Sequence, residues 1–172
     1  MLQLPEVLNH FNLYNETEKL IGVTGEVELP ELEMISDTLA GSGVLGEIED
    51  PVTGQFSSAQ IKFTWSCLNK DYFKLVNTTK PCQLTLRASL QCMDTTTGYT
   101  DYYPLKIVVR GKAKNINLGT VDKGKKMECE TEIEIAYIKI TIDRETLLEL
   151  DKLNFKYVLN GVDMLEKIRS QI

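Results

Sequence analysis

Histidine is almost missing from this chain: His10 is the only one in 172 residues. A histidine cluster is therefore excluded, and any Ser/His/Asp arrangement would have to use His10. That residue lies in a mixed N-terminal stretch, where a solvated side chain is the default. Cysteine is scarce too, and Cys67, Cys82, Cys92 and Cys129 are spaced too widely and irregularly for a CxxC zinc site. Each falls on the apolar phase of a strand pattern, so all four are expected to be buried thiols acting as small hydrophobes. Nothing points to the oxidising compartment that disulfides need. No apolar run approaches the ~18 residues of a membrane span. Glu6 and Glu16 stand where a secretory signal would carry basic residues, so no signal is expected. Positive charge is in deficit, with 19 Lys and Arg against 25 Asp and Glu, a net charge of -6. Such a surface is not made to grip phosphate backbones.

What is present reads as one domain, 1–172, mainly β. Hydrophobic content of 42% and charged content of 26% are ordinary for a globular chain with one sizeable core. Period-two alternation marks strands over Lys19–Leu29, Gln60–Cys67, Cys82–Cys92 and Tyr102–Lys112. Asn69 or Asp71 can cap a short helix reaching Val76, and Asp94 to Gly98 suits a hairpin turn. Short apolar pieces follow at Glu145–Asp151 and Phe155–Leu159. Residues 1–18 read as an arm or short strand. A C-terminal helix is expected over 163–172, with Asp163 as cap, Glu166 completing a capping box, and Leu165, Ile168 and Ile172 as its apolar stripe. The architecture implied is a β-sandwich or partly closed barrel with helical trim.

The longest strand pattern, Met127–Ile142, inverts midway. Before Ala136 the odd positions are apolar (Met127, Cys129, Ile133, Ile135) and Glu128, Glu130, Glu132 and Glu134 form a comb. After it the even positions Ile138, Ile140 and Ile142 are apolar. Extended at ~3.3 Å per residue it would span roughly 50 Å. One end in the subunit's own core and the other in an assembly is the expectation. The comb is expected to face water, because burying those charges dry would cost several kcal/mol apiece.

Other motifs carry less chemistry. Gly41-Ser42-Gly43-Val44-Leu45-Gly46 spells G-x-G-x-x-G, but Pro51 and Gly54 break any following helix. Glu47, Glu49 and Asp50 would also repel pyrophosphate. What remains is a loop of ~20 residues over 36–55, a length that is usually functional or disordered. No carboxylate pair stands out as general acid and base, so no enzyme and no cofactor is expected. Lys112, Lys114, Lys123, Lys125 and Lys126 crowd the ends of one loop with no interleaved aromatic for stacking on bases. Docking onto an acidic surface of another subunit is the functional reading, and a solvated hairpin end is the bland one.

Val108-Val109-Arg110-Gly111-Lys112, the stretch Tyr137 to Asp143, and Asn160-Gly161-Val162-Asp163 before the terminal helix make the chain similar to a known family. So does Leu29-Pro30-Glu31-Leu32 ahead of Gly41-Ser42-Gly43. It resembles the major tail tube proteins of contractile-tailed bacteriophages or of related phage-tail-like bacteriocins. The resemblance implies a structural protein whose six copies form a ring through a continuous inner β-barrel, with rings stacking into a hollow tube. Partners would be the chain itself, the sheath, the tape-measure protein, and the baseplate and tail-terminator proteins. DNA would pass through without specific binding, and no membrane is involved. The protein would be made in the host cytoplasm and end in the virion. On this reading Leu39, Gly41, Gly43, Val44, Leu45, Gly46, Glu47, Glu49 and Asp50 belong to an inter-ring loop. Glu128, Glu130, Glu132 and Glu134 would line the lumen, with the outer wall as the open alternative. The rivals are a monomeric β-sandwich module binding a sugar or small ligand, and a hydrolase using a carboxylate pair.

Overall fold

The computed structural model describes residues 2–172. In chain order these form β1 (Gln3–Asn15), β2 (Glu18–Lys19), β3 (Val23–Glu28), β4 (Met34–Ala40), β5 (Glu47–Phe56), β6 (Gln60–Trp65) and α1 (Lys70–Leu75). Then come β7 (Cys82–Asp94), β8 (Thr100–Ala113), β9 (Cys129–Ile142), β10 (Glu145–Asp151), β11 (Lys156–Leu159), β12 (Val162–Asp163) and α2 (Glu166–Arg169). Alternation in β6, β7 and β8 predicts their buried faces, and all the named pairings are antiparallel. The large sheet runs β12-β11-β10-β9-β8-β7-β1-β2, with β6 and then β3 attached to β9.

β9 is the junction. One of its edges pairs with β8, while the other is shared: Cys129–Glu134 pair with β6 and Tyr137–Ile142 with β10. At the hand-over Ile135 N–H donates to Ala59 O (2.9 Å) and Lys152 N–H donates to Ala136 O (2.9 Å). The register against β8 jumps here, from Arg110 opposite Tyr137 to Gly111 opposite Ile135. This is a β-bulge, one extra residue on β9. It corrects the two-faced reading of the strand. An extra residue flips the parity of the sequence without turning the strand over. Ile133, Ile135 and Ile138 are all buried in one core, opposite Ala113, Gly111 and Val109. Gly111 is what makes room: a Cβ there would collide with the carbonyl oxygen of Glu134.

The core gathers Leu13, Ile61, Phe63, Trp65, Leu84, Leu86, Ile107, Val109, Ile133 and Ile135 from five strands. Burial stabilises by ~1.5–3 kcal/mol for each large apolar side chain. Trp65 is fully buried, and its indole N–H donates to Thr131 Oγ1 (2.8 Å), which explains a buried threonine in an apolar row. α1 closes one end. Its N-cap is Asn69, whose side chain accepts from Tyr72 N–H (2.8 Å), and Tyr72 and Leu75 pack under Trp65. β3, β6, β9, β8, β7 and β1 thus wrap one core, yet β1 and β3 do not pair. A cleft of about 490 Å³ separates them, lined by Leu8–Leu13 and Lys19–Gly25. The barrel is open.

Four expectations need correction. The N-terminal stretch is no arm: β1 pairs with β7 along its whole length. Bulges between Pro5 and Val7 and between Leu8 and His10 break its alternation, so no period-two signal survives there. Residues 36–55 are no loop, because β4 and β5 form a hairpin closed by Gly41–Gly46. The C-terminal helix is only Glu166–Arg169, and its N-cap Leu165 makes no side-chain capping bond. Asp163 sits in β12, where its carboxylate instead accepts from Leu165 N–H (3.0 Å) and pairs with Arg169. Of the expected helical stripe, Leu165 is buried while Ile168 and Ile172 are exposed. Finally, Cys92 and Cys129 are buried and Cys82 half-buried, but Cys67 is exposed. The strand ends at Trp65, and the phase that placed Cys67 inside ends with it.

Candidate functional site

Among the described residues the features that stand out are surfaces. The first is the hairpin β4–β5, a two-stranded sheet of its own. All of β4 and most of β5 are exposed, including Ile35, Leu39, Ile48 and Val52, and so is Leu45 at the tip between them. Only its root is held. Phe56 packs edge-on against Tyr157 with ring centroids 5.1 Å apart, and Leu165 lies against Gly54. Gly54 has φ +79 and a Cβ there would meet the Leu165 side chain, so glycine is required twice over. Leu39 pairs with Ile48 and Asp37 with Asp50, directly across the ladder. Like charges so placed are unfavourable in an isolated hairpin. The nine residues expected in the loop therefore sit on one projecting element: Leu39 in β4, Gly41, Gly43, Val44, Leu45 and Gly46 at the tip, Glu47, Glu49 and Asp50 in β5.

The second surface is the outer face of β9. Glu130, Glu132 and Glu134 share that face and are half-buried. Glu128 does not belong to the comb. It precedes the strand, is exposed, and adopts a left-handed backbone conformation with φ 55. The three strand glutamates are flanked by cations and donors. Lys62 of β6 lies between Glu28 of β3 and Glu132, and Lys112 of β8 lies opposite Glu134. Glu134 accepts from Ser58 Oγ (2.8 Å), and Glu132 accepts from Asn115 Nδ2 (2.9 Å). Beyond the bulge the same face continues with Tyr137, Lys139 and Thr141. The Arg110 guanidinium stacks 4.0 Å from the Tyr137 ring centroid and lies 3.9 Å from Asp151. Burial pushes the Asp151 carboxyl up, but the Asn154 side chain, the N–H groups of Asn154 and Leu153, and Arg110 together hold it below the usual aspartate value. Burial and the neighbouring Glu149 carboxylate push the Tyr137 hydroxyl up.

The third surface is the lysine loop between β8 and β9. Lys112 belongs to β8; Lys114, Lys123, Lys125 and Lys126 lie beyond it. The loop is pinned from below by Tyr72 Oη donating to Asn117 O (2.9 Å) and by Thr120 N–H donating to Met127 O (2.8 Å). Ile116, Leu118 and Val121 remain exposed on it.

A fourth surface escapes sequence reasoning: the outer edge of β1, where Leu4, Val7 and Leu8 are exposed and only Tyr14 and Asn15 find a partner strand beyond β7. The signal was available in the apolar residues Leu4, Val7, Leu8, Phe11 and Leu13, but the two bulges scramble their period. Long unpaired edges are usually blunted; here Pro5 and the bulges blunt one part only.

Against known proteins, a family model described as phage tail tube protein FII matches residues 5–172. The tail tube protein of Escherichia phage P2 is 26% identical over 174 residues, covering 99% of this chain and 99% of that protein. Among solved structures, the sheath/tube terminator of an extracellular contractile injection system in its extended state superposes with a TM-score of 0.54 at 12% identity. That match covers 80% of this chain and 96% of the other, and it is a likeness of fold.

Proposed function

The chain belongs to the phage tail tube protein family, a family of structural tail components, and from that membership we propose that it self-assembles into stacked rings. The rings form the inner tube of a contractile tail, a conduit for DNA and the tape-measure protein, surrounded by the sheath. The observation that carries this reading is the family match along 5–172. Two features of the molecule favour an assembling protein over a monomeric module: an edge strand left largely unpaired, and a hairpin with almost no core of its own. Closed rings remove sheet edges, and an apolar hairpin in water is relieved when a neighbour covers it. The hairpin is the inter-ring element on this reading. Baseplate and tail-terminator proteins would bind the two ends of the tube.

The face carrying Glu130, Glu132 and Glu134 is assigned to the lumen. The assignment rests on function: a channel of like sign to DNA avoids the counterion-release binding that would hold the genome in place. Lys62, Lys112 and Lys139 stand on the same face, so the negative character belongs to the Glu130–Glu134 row itself. Negative-stain microscopy of the concentrated protein tests the main reading. Rings or tubes are expected, and a featureless monomer at every concentration and salt would overturn it in favour of a monomeric binding module. A density map of the tube tests the lumen assignment, which fails if the three glutamates lie on the outer wall.

A further inference from the structure

We propose that the acidic hairpin β4–β5 of one copy seats on the lysine loop of a second copy. The proposal rests on the reading that copies of the chain assemble, and names the two surfaces that meet. Between Met34 and Phe56 the sequence has four acids, Asp37, Glu47, Glu49 and Asp50, and no Lys, Arg or His. Between Lys112 and Lys126 it has five lysines and a single acid, Asp122. The two sets do not satisfy each other within the chain. Among the described residues no ion pair uses a hairpin acid, and none uses Lys112, Lys123 or Lys126. Lys125 is engaged locally with Asp122 at 2.6 Å, and Lys114 is 4.0 Å from Glu132.

The match extends beyond charge. The hairpin exposes Leu39, Leu45 and Ile48 among its acids, and the loop exposes Ile116, Leu118 and Val121 among its lysines. Each surface is an aliphatic patch with charges of one sign, and the signs are opposite. Asp37 and Asp50, facing each other across the ladder, gain most from a cation brought by a neighbour. The seat is ordered beforehand, since the Tyr72–Asn117 and Thr120–Met127 hydrogen bonds fix its backbone, which lowers the entropy lost on docking. The two patches differ and lie on different elements, so one copy can lend its hairpin to one neighbour and receive a hairpin from another, which is a heterologous contact. A heterologous contact repeats from copy to copy and yields rings or filaments rather than a closed dimer.

The test mixes ¹⁴N- and ¹⁵N-labelled full-length protein, joins carboxylates to amines with a zero-length carbodiimide, and maps the mixed-isotope peptides. Mixed-isotope links are expected between Glu47, Glu49 or Asp50 and Lys123 or Lys126. In parallel, Lys123→Glu with Lys126→Glu should raise the concentration needed for assembly about tenfold at low salt and less at high salt, where screening shortens. Glu47→Lys with Glu49→Lys should act alike, and combining all four changes should restore assembly. Links elsewhere in normal tubes, or no rescue by the combined swap, overturn the pairing and leave the tube reading standing. Mixed-isotope links in a protein that forms no tubes would support the pairing and sink the tube reading. Neither links nor tubes would sink both.

Discussion

The body and the hairpin obey different rules. In the body, β6 to β9 bury alternate residues around Trp65, and every buried side-chain polar atom among the described residues has a partner. In the hairpin, Leu39, Ile48 and Leu45 are exposed, and two aspartates face each other across the ladder. Marginal stability comes from a core, and an isolated two-stranded hairpin is barely stable in water. The hairpin has no second layer within the subunit, and the proposed contact with another copy would supply one. The contrast separates residues that fold the subunit from residues proposed to join subunits.

The contrast can be broken from the side of the body. Trp65→Ala removes the largest core side chain and leaves the Thr131 hydroxyl without its partner. A loss of ~3–5 kcal/mol is expected, read as a fall in the denaturant midpoint at unchanged slope. A value near zero would mean that the core does not depend on this residue. Gly111→Ala tests the bulge. The added methyl meets the Glu134 carbonyl, which is backbone and cannot swing away, so ~1–3 kcal/mol or more should be lost. If the variant is as stable as the parent, the bulge is not where the register jump places it.

Asp151→Asn sharpens the picture at the hand-over from β9 to β10. Because the folded-state carboxyl lies below its ordinary value of 3.8, its contribution is fully present above that value. It is lost as pH falls through the folded pKa. The variant should be about 1–2 kcal/mol less stable than the parent at neutral pH, and the two should converge in acid. A difference that is constant with pH would assign the effect to packing. The smallest expected effect on folding comes from the hairpin itself. Deleting Leu39–Val52, with a short glycine linker, should leave the melting temperature of the body within a few degrees while abolishing tubes. Normal tubes from the shortened chain would remove the hairpin from the assembly contacts.

Much of the body was legible in the sequence because half-buried strands write their exposure every second residue. Ile61, Phe63 and Trp65, then Leu84 and Leu86, then Ile107 and Val109 declare one face each, and the structure buries them. The helix after β6 was announced by two candidate caps, Asn69 and Asp71, and the structure uses Asn69, a choice that needs only local geometry. Legibility failed wherever one residue was inserted into the period. The two bulges of β1 hid a strand of thirteen residues, and the bulge after Ile135 made one continuous core look like two faces. It failed again at the hairpin, because glycine, proline and acid over 36–55 describe loop and exposed β equally well without a buried face to set the phase.

The charges were countable from the start, and their grouping was not. Sequence alone determined the β class, the single core, the acidic balance, the segregation of lysines from the acids of 36–55, and the short words behind the family resemblance. These depend on composition and on neighbours within a few residues. Only the tertiary structure decided that Lys62 and Lys112 stand beside the comb, that Glu128 leaves it, and that Gly111 accommodates the Glu134 carbonyl. It alone decided that β1 borders an open cleft. Those outcomes depend on register between strands far apart in the chain. Register is set by which partner fills the same core, a condition no local pattern carries.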